Sequence, residues 1–102
     1  MDIFEVRRLY DANNVEWTSH VSKRLIQRGI SSTEVSESIA NGVIIENYPD
    51  DYPYPSCLLM GKTDDDRVLH IVCAIYDDKL WIITAYEPNL IEWEADYQTR
   101  KD

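Results

Sequence analysis

His20, Arg24 and Arg28 recur at four-residue intervals between Trp17 and Gly29, and a second histidine, His70, lies far downstream. Two imidazoles that titrate near neutral pH and a row of fixed cations suit one reaction well, the cleavage of a phosphodiester by its own neighbouring 2′-hydroxyl. That reaction needs a general base, a general acid and positive charge for the developing phosphorane. These side chains supply all three without a metal or an organic cofactor. A zinc site would have to recruit His20, His70 and a carboxylate such as Glu46 from separate elements, and no ligand spacing supports it.

The element that carries the row reads as a helix. Thr18 or Ser19 can cap its start, Arg28 falls in its last turn, and Gly29 can take the left-handed conformation that ends it. At about 100° per residue, Trp17, Val21 and Leu25 form an apolar stripe, and His20, Arg24 and Arg28 form a second row drifting about 40° per step. The rows overlap, so both arginines lie against the packing face, where an unpaired charge is costly. Either carboxylates elsewhere in the chain pair with them, or an anionic ligand meets them.

On either side the chain alternates helix-like and strand-like patterns. Ile3, Val6, Leu9 and Tyr10 have helical spacing over Asp2 to Ala12, with a strand through Ile3 to Leu9 as the alternative, and Val15-Glu16 lead into the central helix. Ser31 to Glu34 fits a capping box, Ile30 can staple onto Val35, and Gly42 closes that helix. The period then becomes extended. Strands are expected at Val43 to Tyr48, Cys57 to Met60, Arg67 to Tyr76 and Leu80 to Tyr86, joined by turns short enough to make neighbours antiparallel. Pro88 ends the last strand, Asn89 can cap a short C-terminal helix carrying Leu90, Ile91 and Trp93, and the tail after Tyr97 looks frayed. Helices followed by strands give a single α+β domain over 1–102, with two to three N-terminal helices (about 2–42) on a four-stranded antiparallel sheet (about 43–87).

Strand alternation places His70 with Val68, Val72 and Ala74, and Thr84 and Tyr86 with Leu80 and Ile82. In so apolar a strand His70 is either a satisfied core histidine or an acid/base group. The loop from Tyr48 to Pro55 carries three prolines and three tyrosines counting Tyr48. Its rings either cover the core edge or offer platforms for unstacked bases.

Composition bounds the partners. Ten Lys and Arg against 19 Asp and Glu give a net charge of −9, which counts against a non-specific nucleic-acid binder. The charge is uneven, with no acidic residue from Trp17 to Thr33, so a cationic patch on an acidic body suits a small anionic target or a basic protein. Cys57 and Cys73 lie in strand-like runs and read as small buried hydrophobes in a reducing cytosol. The absence of a signal-like start or a membrane-length apolar run makes the expected location cytoplasmic, with no membrane partner.

Several motifs together resemble a known family. They are Trp-Thr-x-His-Val-x-x-Arg-Leu-x-x-Arg-Gly-Ile at 17–30, Gly-x-Ile-Ile-Glu-x-Tyr at 42–48, Pro-Ser-Cys-Leu-Leu at 55–59, Gly61, Arg-x-Leu-His-x-Val at 67–72 and Ile-Ile-Thr-x-Tyr-x-Pro at 82–88. In this order they resemble the domain of unknown function 4258 family, over roughly residues 17–93. That family looks like a branch of the RelE, barnase and EndoU-like ribonuclease fold group. The resemblance implies a metal-independent endoribonuclease, the toxin of a type II toxin–antitoxin pair. Its partners would be RNA, free or on the ribosome, and an antitoxin with a zinc finger and a helix-turn-helix. By position, His20, His70, Arg24, Arg28 and Thr84 fall in catalytic places, and Arg67 and Tyr86 in substrate-binding ones, to which the loop reading adds Tyr48 as a further substrate-binding residue. A non-catalytic module that binds a partner protein or a small anion through the His20/Arg24/Arg28 face is the other reading.

Overall fold

The computed structural model describes all 102 residues. Three helices, α1 (Ile3–Asp11), α2 (Ser19–Arg28) and α3 (Ser32–Asn41), pack on one face of a five-stranded mixed sheet. The strands are β1 (Val15–Trp17), β2 (Val43–Tyr48), β3 (Ser56–Lys62), β4 (Val68–Tyr76) and β5 (Lys79–Tyr86). Local chemistry accounts for the helix ends. Asp2 caps α1 through Glu5 N–H, Thr18 caps α2 through Val21 N–H, and Ser31 with Glu34 forms the capping box of α3. Gly29 ends α2 at φ 65°, ψ 36°, a conformation that a Cβ penalises.

Strands β2 to β5 make the expected antiparallel meander, but the sheet has a fifth member. Val15 to Trp17, expected as a lead-in and the first turn of the central helix, instead pair in parallel with Leu80 to Ile82 at the edge of β5. Three residues are too few to show a period of two, and the pairing edge that makes them a strand lies more than sixty residues away in sequence.

The core forms between the helices and the inner sheet face. It joins Val6 and Leu9 of α1, Val21 and Leu25 of α2, and Val35 and Ile39 of α3 to Cys57, Leu59, Leu69, Ile71, Cys73, Leu80, Ile82 and Ala85. Two β-bulges then decide what the outer face carries. Between Val72 and Cys73 the register with β5 jumps from Thr84 to Ile82, leaving Ile83 unopposed. Leu80 and Ile82 stay on the core side, while Thr84 and Tyr86 pass to the outer face opposite Val72 and His70, which corrects the face expected from simple alternation. A matching skip at Ile45 puts Ile44 opposite Leu59 but Glu46 opposite Leu58, so Glu46 and Tyr48 also reach the outer face.

The C-terminal segment differs from expectation throughout. No helix forms after Pro88; Asn89 accepts from the N–H groups of Ile91 and Glu92 in a turn instead. The tail is not frayed either, because Trp93 bridges to Arg100, Lys101 N–H donates to Glu92 C=O, and Trp93 is 1% exposed. An apolar anchor packed against the sheet outweighs the polarity of its neighbours.

Candidate functional site

Arg67 follows the loop into β4, and its guanidinium meets the C-terminus of α2. It donates to Gly29 C=O at 2.8 Å and Arg28 C=O at 3.2 Å, and pairs with Glu34 at 3.0 Å and with Glu87. A cation on the last carbonyls of a helix is favoured by the free lone pairs and by the macrodipole. Its carboxylate neighbours hold it firmly protonated, the bond to Glu34 being the largest influence, and Glu34 is held below the usual carboxylate range by Ser31 N–H and then by Arg67.

Arg28 leaves the same helix end in the other direction. Its guanidinium donates to Thr84 Oγ1 at 2.9 Å and to Ala85 C=O at 2.8 Å. Both acceptors lie beyond Ile82, where β1 stops pairing, so Arg28 covers β5 where its edge is open. Neither carboxylate pairing nor a vacant cation describes it. The five ion pairs use Arg8, Arg67, Lys79 and Arg100, and leave Arg24 and Arg28 out.

Arg28, Arg67, Tyr86 and Glu87 together line an open cleft of about 320 Å³. Thr84 joins them through Arg28. Behind Tyr86 stands His70, fully buried on the outer sheet face. Trp93 packs edge-on against its ring at 4.5 Å, and its Nε2 lies 2.7 Å from Tyr97 C=O. A carbonyl only accepts, so Nε2 carries the proton and Nδ1 is left with a lone pair toward the Tyr86 hydroxyl at 3.4 Å. Burial is the main cause that lowers the His70 pKa, with the Tyr97 carbonyl acting the other way; burial likewise raises Tyr86. At neutral pH His70 is therefore a neutral acceptor and Tyr86 its donor.

A second outer-face group stands beside His70. Tyr48 donates to Glu46, Arg100 binds Glu46 through Nε at 2.8 Å and Nη2 at 3.1 Å, and the same guanidinium lies 4.6 Å above the Trp93 ring. Arg100 is the largest influence holding Glu46 below its usual range. Tyr48 is thus tied to a carboxylate on the sheet rather than to the loop.

His20 and Arg24 are exposed on α2 and do not reach the cleft. Arg28 follows His20 by eight positions, about 12 Å of helix axis. His20 stands in the helix layer and His70 on the opposite sheet face, so the two imidazoles are not brought together. The structure gathers Arg28, Arg67, Thr84 and Tyr86, and sets His70 behind them. Reading the residues missed Glu34, Glu87, Trp93, Tyr97 and Arg100. Only Glu34 had a local signal, and that signal was for a helix cap. No three His, Cys, Asp or Glu side chains converge on a point, and Cys57 and Cys73 face each other unbonded in the core with their sulfurs 3.7 Å apart.

A three-helix layer on a bulged mixed sheet, with an arginine-lined cleft where α2 ends against β5, defines a small α+β domain with an anion-compatible edge. The chain belongs to the family described as Domain of unknown function (DUF4258), whose model matches residues 17–87. No curated protein and no solved structure matches it. The match spans α2, α3 and strands β2 to β5, begins at the last residue of β1, and ends where the segment covering His70 begins.

Proposed function

We propose that this chain is a metal-independent endoribonuclease of the RelE/barnase-like group, acting as the toxin of a type II toxin–antitoxin pair in the cytoplasm. The observation that carries the proposal is a single cleft lined by Arg28, Arg67 and Tyr86, with the lone pair of His70 behind the tyrosine hydroxyl. In this reading the RNA 2′-hydroxyl attacks the adjacent phosphorus. Its proton passes to Tyr86, whose own proton moves to His70 Nδ1. Arg28 and Arg67 meet the phosphorane charge, Thr84 keeps Arg28 aimed, and the P–O5′ bond breaks. The leaving 5′ oxygen takes a proton from a water in the open cleft, and the hydroxide so formed is neutralised by the proton that His70 returns through Tyr86. Products are a 2′,3′-cyclic phosphate and a 5′-hydroxyl. His20 and Arg24 hold the backbone further along α2, and Tyr48, bound to Glu46 on the far edge strand, has no part in this step.

Labelled single-stranded RNA, free and on ribosomes, tests the proposal in the presence of EDTA. Cyclic-phosphate ends are expected, with Tyr86→Phe and Arg28→Ala each slowing cleavage by about 10²–10⁴-fold. His20→Ala and Arg24→Ala should raise KM more than they lower kcat. Cleavage that Tyr86→Phe leaves unchanged would sink the assignment.

One observation favours a non-catalytic binding module instead. Arg67 is already occupied by two carboxylates and two carbonyls, so an incoming phosphate must compete for it. In that reading the row of His20, Arg24 and Arg28 binds a partner protein or a small anion. Its signature is stoichiometric binding to an antitoxin-type partner with no turnover of RNA in either presentation.

A further inference from the structure

The outer sheet face divides into two halves. The half near His70 lies under Trp93 and Tyr97, whereas toward the Tyr76/Lys79 end an open groove remains between the Pro53-Tyr54 loop and β5. There Pro53, Tyr54, Ala74, Tyr76, Trp81 and Ile83 line a groove of about 320 Å³ with almost no polar surface. The Tyr54 ring stacks on Tyr76 at 3.9 Å, so the wall is built, yet Tyr76 is 46% and Ile83 45% exposed. The bulge that leaves Ile83 unopposed helps to set this side chain outside the core.

Charge says what the groove takes. The two connections that border it carry Asp50 and Asp51 before Pro53, and Asp77 and Asp78 directly after Tyr76, all four exposed. Asp78 is paired with Arg8 and the neighbouring Lys79 with Glu16, so the local cations are engaged and the rim charge left to meet a partner is that of Asp50, Asp51 and Asp77. Asp51 accepts from Ser56, which leaves its charge in place. An apolar floor of stacked rings under a carboxylate rim complements a cationic segment with an aliphatic or aromatic anchor. The rings also offer faces for a guanidinium, and the rim steers such a segment in.

We propose that this groove is a docking site for a basic, apolar-anchored segment of a partner protein, separate from the arginine-lined cleft. Three 14-residue peptides test it on the full chain: alternating Arg and Leu, alternating Glu and Leu, and alternating Arg and Ser. The Arg/Leu peptide is expected to bind and to shift the NMR signals of the Trp81 indole and the Ile83 methyls. Ile83→Asp, at a site exposed enough to leave the fold intact by circular dichroism, should weaken it by about tenfold or more. Asp50→Asn with Asp77→Asn should weaken it at low salt and much less at high salt. The proposal is overturned if the Arg/Leu peptide does not bind, if the Glu/Leu or Arg/Ser peptide binds equally well, or if Ile83→Asp changes nothing. A chain that sediments as a dimer and becomes monomeric in Ile83→Asp would assign the groove to a second copy of itself and overturn it too.

Discussion

Glu87 sits at the mouth of the cleft and holds one side of Arg67, while Glu34 and the end of α2 hold the rest. Because Glu87 is the more exposed of the two carboxylates, replacing it disturbs the fold least and frees a cation most directly. Glu87→Gln is expected to tighten phosphate or RNA binding a few-fold, about the scale of one exposed ion pair. Titration of inorganic phosphate followed by the Arg67 side-chain NMR signal checks this. His70 makes a second residue-scale prediction. Its pKa is lowered in the folded chain, so the unfolded chain binds the proton more readily. Stability should hold above the ordinary value of 6.5 and decline as pH falls below it. Glu34 and Glu46, held low in the fold, add to the loss only below about 4.5. Denaturant unfolding between pH 7.5 and 4 should show the first decline, and it should shrink in His70→Gln.

Among the elements, α3 and β3 are fitted backbone to backbone. A Cβ at Gly61 would stand 2.0 Å from Ser38 C=O, a clash with main chain that no rotamer relieves. Gly61→Ala is expected to cost at least the ~1–3 kcal/mol typical of overpacking, and thermal melting should show it. Ser38 offers the opposite case at the same contact. Its buried hydroxyl has no hydrogen-bond partner, so Ser38→Ala removes an unmet polar group and improves helix propensity. Unchanged or slightly raised stability is expected. The segment after Pro88 is an element without regular structure, and Trp93 is its anchor. Trp93→Ala should cost about 3–5 kcal/mol if the whole burial is lost, and His70 should then titrate closer to its ordinary value, because burial is the main cause that lowers it.

For the whole molecule, the decisive quantity is where a net charge of −9 is distributed. The cleft of Arg28 and Arg67 lies at the Tyr86 end of β5, while the acidic connections border the apolar groove at the other end of the sheet strands. An acidic body repels free RNA, and salt screens that repulsion along with the arginine–phosphate contacts, so cleavage of RNA in solution should depend only weakly on salt, and RNA presented on a carrier should be the better substrate.

Helix boundaries were legible from residues alone because caps are local: Thr18, Ser31 with Glu34 and Gly29 act on backbone groups within a turn. The antiparallel meander was legible for the same reason, since short turns leave adjacent strands no other neighbour. The sequence by itself therefore determined the α+β class, the family motifs and the arginine row. Tertiary structure alone decided the rest. The β1 edge depends on an open partner far along the chain, and the Ile45 and Ile83 bulges invert the alternation that would have placed Tyr48, Thr84 and Tyr86 on the core side. The fate of His70 depends on a tail whose pattern shows no sign of folding back. Each is a non-local balance of pairing and burial, and such balances leave no mark at fixed spacing in the chain.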